Sequence, residues 1–225
     1  RPVVMKLSDS TLSLLKNFST INQSILFKKG IKLRTISVQK NILAEATITE
    51  ELPKDFGIYD LNQFLNGLSL YNNPDLDFSN EGHVVIREGK SRSKYFFAES
   101  NVIVTPPEKP MTLPSEDVTF EISTEQLEKL LKAAAIYQLP DLAVVGDSNG
   151  VKIVVRDKKN DTSNDFAITV GETSDIFSFN FKVENIKILP GTYEVVVSQK
   201  LISQFTSKNH DLTYFIALEP DSTFG

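Results

Sequence analysis

A chain of 225 residues with 40% hydrophobic composition can bury a sizeable core, and its length matches two domains of about 100 residues each. Cysteine is absent, which excludes a disulfide framework, thiolate zinc sites and a cysteine nucleophile, and fits a reducing cytosol. The formal charge of -5 is uneven: residues 1–110 hold 14 Lys+Arg against 12 Asp+Glu (+2), and the remaining 115 hold 10 against 17 (-7), which argues against coating nucleic acid by bulk charge but leaves room for a local basic stripe.

The run MKLS at Met5 reads as a natural start, so Arg1, Pro2, Val3 and Val4 are set aside as upstream or vector-derived. No charged-then-apolar leader and no apolar run of the roughly 18 to 20 residues a membrane span needs is visible, so a soluble protein with no membrane partner is expected. The first element is a strand start followed by a helix. In KLSDSTLSLLKN (residues 6–17) Ser8 is a good N-cap, with Leu12, Leu15 and Ser19 on one face and Leu14, Phe18 and Ile21 on the adjoining one. Extended runs follow (GIKLRTISV, ILAEATI), then a short helix within YDLNQFLNGLSLY (residues 59–71) and closing strands ending in KYFFA (residues 94–98).

The second half repeats the first. EISTEQLEKLLK (residues 121–132) lies 115 residues after the opening run, and Leu7, Ser8, Leu12, Leu15, Ile21 and Gln23 match Ile122, Ser123, Leu127, Leu130, Ile136 and Gln138. Ser123 with Gln126 forms a capping-box pattern, and Leu127, Leu130, Leu131 and Ala134 make the apolar stripe. Strands DLAVVG, VKIVVRD and DFAITV follow, with DSNG as a hairpin turn. A second helix is expected over VENIKIL (residues 183–189), stopped by Pro190-Gly191, and TYFIA (residues 213–217) matches KYFFA. The proline-rich segment VTPPEKPMTLPSED (residues 104–117) reads as an extended, stiff connector. The fold class is α+β: domains at 5–105 and 118–225, joined by a connector at 106–117.

Chemistry is sparse. His83 and His210 fall at turn or hairpin positions without a histidine partner at metal-ligand spacing, and no nucleophile-elbow, zinc-protease or phosphate-loop motif is present. Asp75/Asp77 and Asp157/Asp161/Asp165 lack the spacing of a calcium loop. The chain is therefore expected to be no enzyme and to hold no metal or other cofactor. What remains is the polar side of the helices, where Lys16, Lys129, Lys132 and Lys187 fall away from the apolar stripes. Such lysines also serve solubility, and a duplicated module of a phage virion or baseplate is the alternative reading.

MKLSDSTLSLLKNFSTINQSIL, YDLNQFLNGLSL, IKILPGTYEVVV and FIALEPDST, in that order, resemble the sliding clamps of T-even-type bacteriophages, the DNA polymerase processivity factors, with departures near residues 157–165 and 199–210. The resemblance implies a duplicated DNA-clamp fold with helices on one face of curved antiparallel sheets. It implies a head-to-tail homotrimeric ring around duplex DNA, an ATP-driven clamp loader, a tethered replicative polymerase, and work in the cytoplasm of an infected bacterial host. Lys16, Lys129, Lys132 and Lys187 would then face DNA without reading sequence. A partner-peptide groove beside the connector would draw on Met111 and Leu113, on Phe215, Ala217, Leu218 and Pro220 of the last strand and tail, and on Ile36 and Val38.

Overall fold

The two halves of the sequence fold into closely related orders of elements. The computed structural model describes residues 3–225, in two units that meet between Glu108 and Lys109 in the chain. Unit 1 contains β1 (Val4–Met5), α1 (Asp9–Ile21), β2 (Ile25–Phe27), β3 (Gly30–Ile36), β4 (Ile42–Leu52), β5 (Phe56–Ile58), α2 (Leu61–Leu68), β6 (Asp75–Asp77), β7 (His83–Glu88) and β8 (Ser91–Phe96). Unit 2 contains β9 (Val118–Ile122), α3 (Thr124–Tyr137), β10 (Asp141–Asp147), β11 (Gly150–Arg156), β12 (Phe166–Gly171), β13 (Phe177–Lys182), β14 (Tyr193–Ser198), β15 (Ile202–Ser207), β16 (Leu212–Ala217) and β17 (Thr223–Phe224).

All pairings within the units are antiparallel. Unit 1 holds a sheet in the order β1-β6-β7-β8 and the pairs β2-β5 and β3-β4. Unit 2 holds the order β12-β11-β10-β13-β17 and the run β9-β14-β15-β16. In unit 1 α1 packs on β3 and β4, and in unit 2 α3 packs on β11 and β12. This is the expected α+β class, and no helix among the described residues is long and apolar enough to cross a membrane.

Both expected caps form. Ser8 Oγ accepts the Thr11 N–H at 3.2 Å, while Ser123 Oγ accepts from Gln126 N–H at 3.1 Å and Gln126 Oε1 accepts from Ser123 N–H at 3.0 Å. α1 has an extra anchor on β4. The Glu50 carboxylate accepts the Ser8 N–H and the Thr11 hydroxyl, each at 2.7 Å. Partial burial pushes this carboxyl up, but those hydrogen bonds outweigh it and hold it below the usual range. The buried face of α1 is Thr11, Leu14, Leu15, Phe18 and Ile21. Leu12, expected on one face with Leu15 and Ser19, is only half-buried and lines the concavity beside α2. α3 buries Leu127, Leu130, Ala133 and Ala134, with Leu131 half-buried.

The fourth helix does not form. Only residues Val183–Asn185 make a single 3-10 turn, after which Ile186 and Ile188 are buried and Lys187 between them is exposed, the period of an extended segment. Seven residues with three β-branched positions and a following Pro-Gly cannot sustain a helix against that demand. Two buried tyrosines anchor the segment instead: Tyr193 donates to the Leu189 carbonyl, and Tyr214 Oη accepts the Leu189 N–H at 2.9 Å. Burial pushes the Tyr214 phenol up to about 12 and raises that of Tyr193 as well. The sequence repeat is correspondingly broken at the end of the long helices. In unit 1 α2 begins beside Gln23, whose carbonyl accepts the Leu61 N–H at 2.8 Å, and Ile21 is buried. Unit 2 has no counterpart of α2, and the matching Ile136 is 64% exposed.

Each unit closes an aromatic cluster with the segment after its last long strand. In unit 1 Ala98 bridges Gly57 while Phe97 packs on Phe56, centroids 5.1 Å apart. In unit 2 β17 pairs with β13, and Phe224 stacks on Phe177 and Phe179 at 6.1 and 6.0 Å. Gly146 lies under this cluster, where a Cβ would sit 2.2 Å from Phe177 Cε2. The residues leading into β9 are held by Asp117, which accepts the Gln199 N–H at 2.7 Å, Gln199 Nε2–H at 3.0 Å and the Ser115 hydroxyl at 2.6 Å. The Gln199 N–H and the Ser115 hydroxyl hold the Asp117 carboxyl below the usual carboxylate range.

Gly146→Ala is expected to destabilise unit 2 by about 1 to 3 kcal/mol, as overpacking of a filled core does. Gly67→Ala, in α2 with nothing within 4 Å of the added carbon, is expected to stabilise by about 0.5 to 1 kcal/mol. Denaturant midpoints of the two variants read both signs. For Asp117, a lowered folded-state pKa means a contribution that is present above the unfolded value and lost as pH falls through the folded one. Asp117→Asn should therefore lower the denaturation midpoint at about pH 7, and the gap to the parent protein should close towards about pH 3.

Candidate functional site

The lysines on the long helices are placed where the apolar stripes predict. Lys16 is exposed on α1, and Lys129 and Lys132 are exposed one turn apart on the same side of α3. Lys187 is exposed too, but on the extended segment that replaces the expected helix. The helical set is thus Lys16 in unit 1 and the Lys129/Lys132 pair in unit 2.

Lys16 stands on the wall of a concavity of about 810 Å³ in unit 1, lined by α1, α2 and the segment that leads into β6. Its α1 side carries Asp9, Leu12, Ser13 and Lys16 and its α2 side Asn62, Leu65, Asn66 and Ser69, each set recurring at i, i+3, i+4 and i+7. Ser19 Oγ bridges the helices at 3.1 Å from Asn62 Oδ1. Sequence reasoning overlooked this groove because α2 bears no charge. The signal was the Asn/Gln/Ser spacing opposite the leucines in LNQFLNGLS.

The residues expected in a peptide groove divide by burial. Ile36, Phe215 and Leu218 are core positions at 5%, 4% and 5% exposure, and Ala217 is half-buried. Val38 and Met111 are exposed at 67% and 39%, Pro220 is exposed and Leu113 is half-buried. Alternation alone does not account for Phe215: β16 buries Tyr214, Phe215 and Ile216 in succession, so both faces of the strand are covered there. Met111 is the accessible apolar side chain of the connector.

Two strand edges carry apolar surface that sequence reasoning did not single out. β8 is the last strand of its sheet, and beside it Tyr59 and Phe96 are 57% and 68% exposed around a small hollow that Asp60, Gln63, Lys94 and Tyr95 complete. Tyr95 turns inward, donating to Gln63 Oε1 at 2.8 Å and meeting Phe64 edge-on at 5.1 Å. β12 is the last strand of the five-stranded sheet, and α3, which packs on it, leaves Ile136 and Tyr137 exposed. Of the carboxylates that lack calcium-loop spacing, Asp75 pairs with Lys6 at 3.1 Å and Asp77 with Arg87 at 2.9 Å.

Comparison with known proteins joins these observations. Residues 6–105 match the family described as DNA polymerase processivity factor, and residues 119–220 match the gp45 sliding clamp, C terminal. The sliding clamp of Escherichia phage RB69 is 33% identical over 228 residues, covering 97% of this chain and 99% of that protein. The sliding clamps of Vibrio phage KVP40 and Enterobacteria phage T4 are 33% and 32% identical, covering 96% and 97% of this chain and 99% of each relative. Among solved structures, A. fulgidus PCNA bound to the C-terminal region of FEN-1 superposes with a TM-score of 0.71 at 15% identity, covering 99% of both chains. The DNA polymerase III subunit beta sliding clamp of Bartonella birtlesii gives 0.71 at 12% identity, over 96% of this chain and 65% of that one. The chain belongs to the sliding-clamp family of DNA polymerase processivity factors, and its fold is the clamp fold.

Proposed function

We propose that this chain assembles head to tail as a homotrimeric ring that encircles duplex DNA and tethers a replicative DNA polymerase. It acts as a non-enzymatic accessory, opened and loaded by an ATP-driven clamp loader in the cytoplasm of an infected bacterial cell. The observation that carries the reading is an imbalance between the two copies of the repeat. β4 and β12 hold the same place in the order of elements, yet β4 is largely buried and β12 is not. Phe215 and Phe96 hold the same place in the TYFIA and KYFFA strands, and they are 4% and 68% exposed. The positions left open on β8 and β12 are the counterparts of positions that are buried on β16 and β4. A second copy supplies the missing cover for each, and a heterologous contact of this kind closes into a ring. Charge is complementary as well: Lys90, Arg92 and Lys94 lie in and beside β8, while Asp165 and Glu172 flank β12.

Lys16, Lys129, Lys132 and Lys187 are assigned to the DNA-facing side. A ring holds DNA by topology, so a few sequence-independent phosphate contacts suffice. Met111 and Leu113 are assigned to the partner-peptide site, together with Ile36, Val38, Phe215, Ala217, Leu218 and Pro220. Met111 and Leu113 carry most of this reading because they are apolar positions in a segment otherwise made of Pro, Ser, Thr and charge.

In solution the protein should have the mass of three 25.2 kDa chains, be retained on nicked circular duplex DNA after loading, and run off the same DNA once it is linearised. Phe96→Asp should give a folded monomer that is not retained. A Phe96→Asp protein that still elutes with the parent would remove β8 from the contact. Met111→Ser with Leu113→Ser should weaken binding of an apolar polymerase-tail peptide by tenfold or more, about 1.4 kcal/mol, while leaving the trimer intact. Unchanged peptide affinity in an intact trimer excludes the connector from the site.

A further inference from the structure

We infer that Asn22 is a positioning residue for the partner-peptide site, because its buried side-chain amide holds the end of β3 and the start of the connector to each other. This rests on the reading that assigns Ile36, Val38, Met111 and Leu113 to that site. Asn22 is 6% exposed and forms the C-cap of α1, where its N–H donates to the Phe18 carbonyl at 3.1 Å. Its Nδ2 donates to the Ile36 carbonyl at 2.9 Å and to the Val104 carbonyl at 3.2 Å, and its Oδ1 accepts the Ser24 N–H at 2.9 Å. Both amide hydrogens are therefore committed, and to segments far apart in sequence.

Each of those carbonyls belongs to a segment assigned to the partner site. Ile36 is the last residue of β3 and stands two residues before the exposed Val38. Val104 follows the buried Ile103 and stands two residues before Pro106 and Pro107, and no strand or helix comes after it until β9. The two prolines fix φ, so a direction set at Val104 is carried along the stiff segment instead of being lost within a few bonds. The repeat supplies an internal control. At the offset of 115 residues Asn22 falls opposite Tyr137, which is 47% exposed, and in unit 2 the last long strand leads into β17, not into a connector. The buried amide stands in the copy that has a connector to hold.

Because the chain contains no cysteine, Glu108→Cys places a nitroxide at one exposed position of the connector, four residues beyond Val104. Adding Asn22→Ala should make that label freer in the electron spin resonance spectrum. In unlabelled protein Asn22→Ala should weaken binding of the apolar polymerase-tail peptide about threefold to tenfold while the trimer keeps its mass. Leu14→Ala, a buried truncation on the same helix, should change neither reading, which separates positioning from a general loss of stability. Asn22→Ser keeps one donor and should fall between Asn22→Ala and the parent; it carries the test if Asn22→Ala does not fold. A label that moves no more freely overturns the inference and leaves the partner-site reading standing. A freer label with unchanged peptide affinity overturns the inference through the partner-site reading on which it rests.

Discussion

A β-strand whose outer edge carries unpaired amides and apolar side chains needs a partner, and that requirement governs this molecule. Most exposed edges in natural sheets are blunted by charge, proline or a bulge. β8 has charge in Lys94 and Arg92, but it also ends in an exposed phenylalanine next to an exposed tyrosine. β12 alternates half-buried and exposed residues with no charge between Phe166 and Gly171. Such edges are aggregation sites in a protein that must stay monomeric, and assembly sites in one that must not. Duplication makes the second outcome natural, since a surface evolved to be covered in one copy is already shaped for cover in the other.

Other features make these edges rigid enough to serve. The strands behind β12 form a long ladder: β10 and β11 are paired over seven residues and β10 and β13 over six. On the far side of that sheet the two-residue strand β17 pairs with β13, and Phe224 stacks on Phe177 and Phe179. In unit 1 the β8 side is braced from within by Tyr95, which packs on Phe64 and bonds Gln63 of α2. α2 is thereby tied to the edge strand on one side and to α1 on the other through Ser19 and Asn62. The helical surface and the β8 edge of unit 1 are mechanically one piece.

Much of this was legible in the sequence wherever a local signal and the tertiary demand agreed. Ser8 and Ser123 cap helices because their side chains satisfy first-turn amides whatever packs nearby, and the DSNG turn joins β10 to β11 with Gly150 at φ +108°, a conformation open to glycine. The reading failed where long-range packing decided. VENIKIL has a plausible helical pattern, but Ile186 and Ile188 are both needed in the core, and only an extended backbone places two residues at i and i+2 on one side. The choice between Leu12 and Leu14 as the centre of the buried face could not be made either, because it depends on α2, some 50 residues away in sequence.

Function was legible only in part, for a physical reason. Catalytic sites announce themselves through rare combinations of residues, whereas a clamp works by enclosure and needs only ordinary ones. Lys16, Lys129 and Lys132 are indistinguishable in sequence from solubilising lysines. What distinguishes them is the element on which they sit and what the opposite face of that element buries. Phe96 shows the limit most clearly. Within KYFFA nothing marks it as different from Phe215 in TYFIA, and strand propensity treats the two alike. Only the contrast between a buried copy and an exposed one, at matched positions of a repeat, turns an aromatic residue into an argument about assembly. In duplicated proteins generally, positions that agree in sequence and disagree in burial are the places to look for the surfaces that a second chain completes.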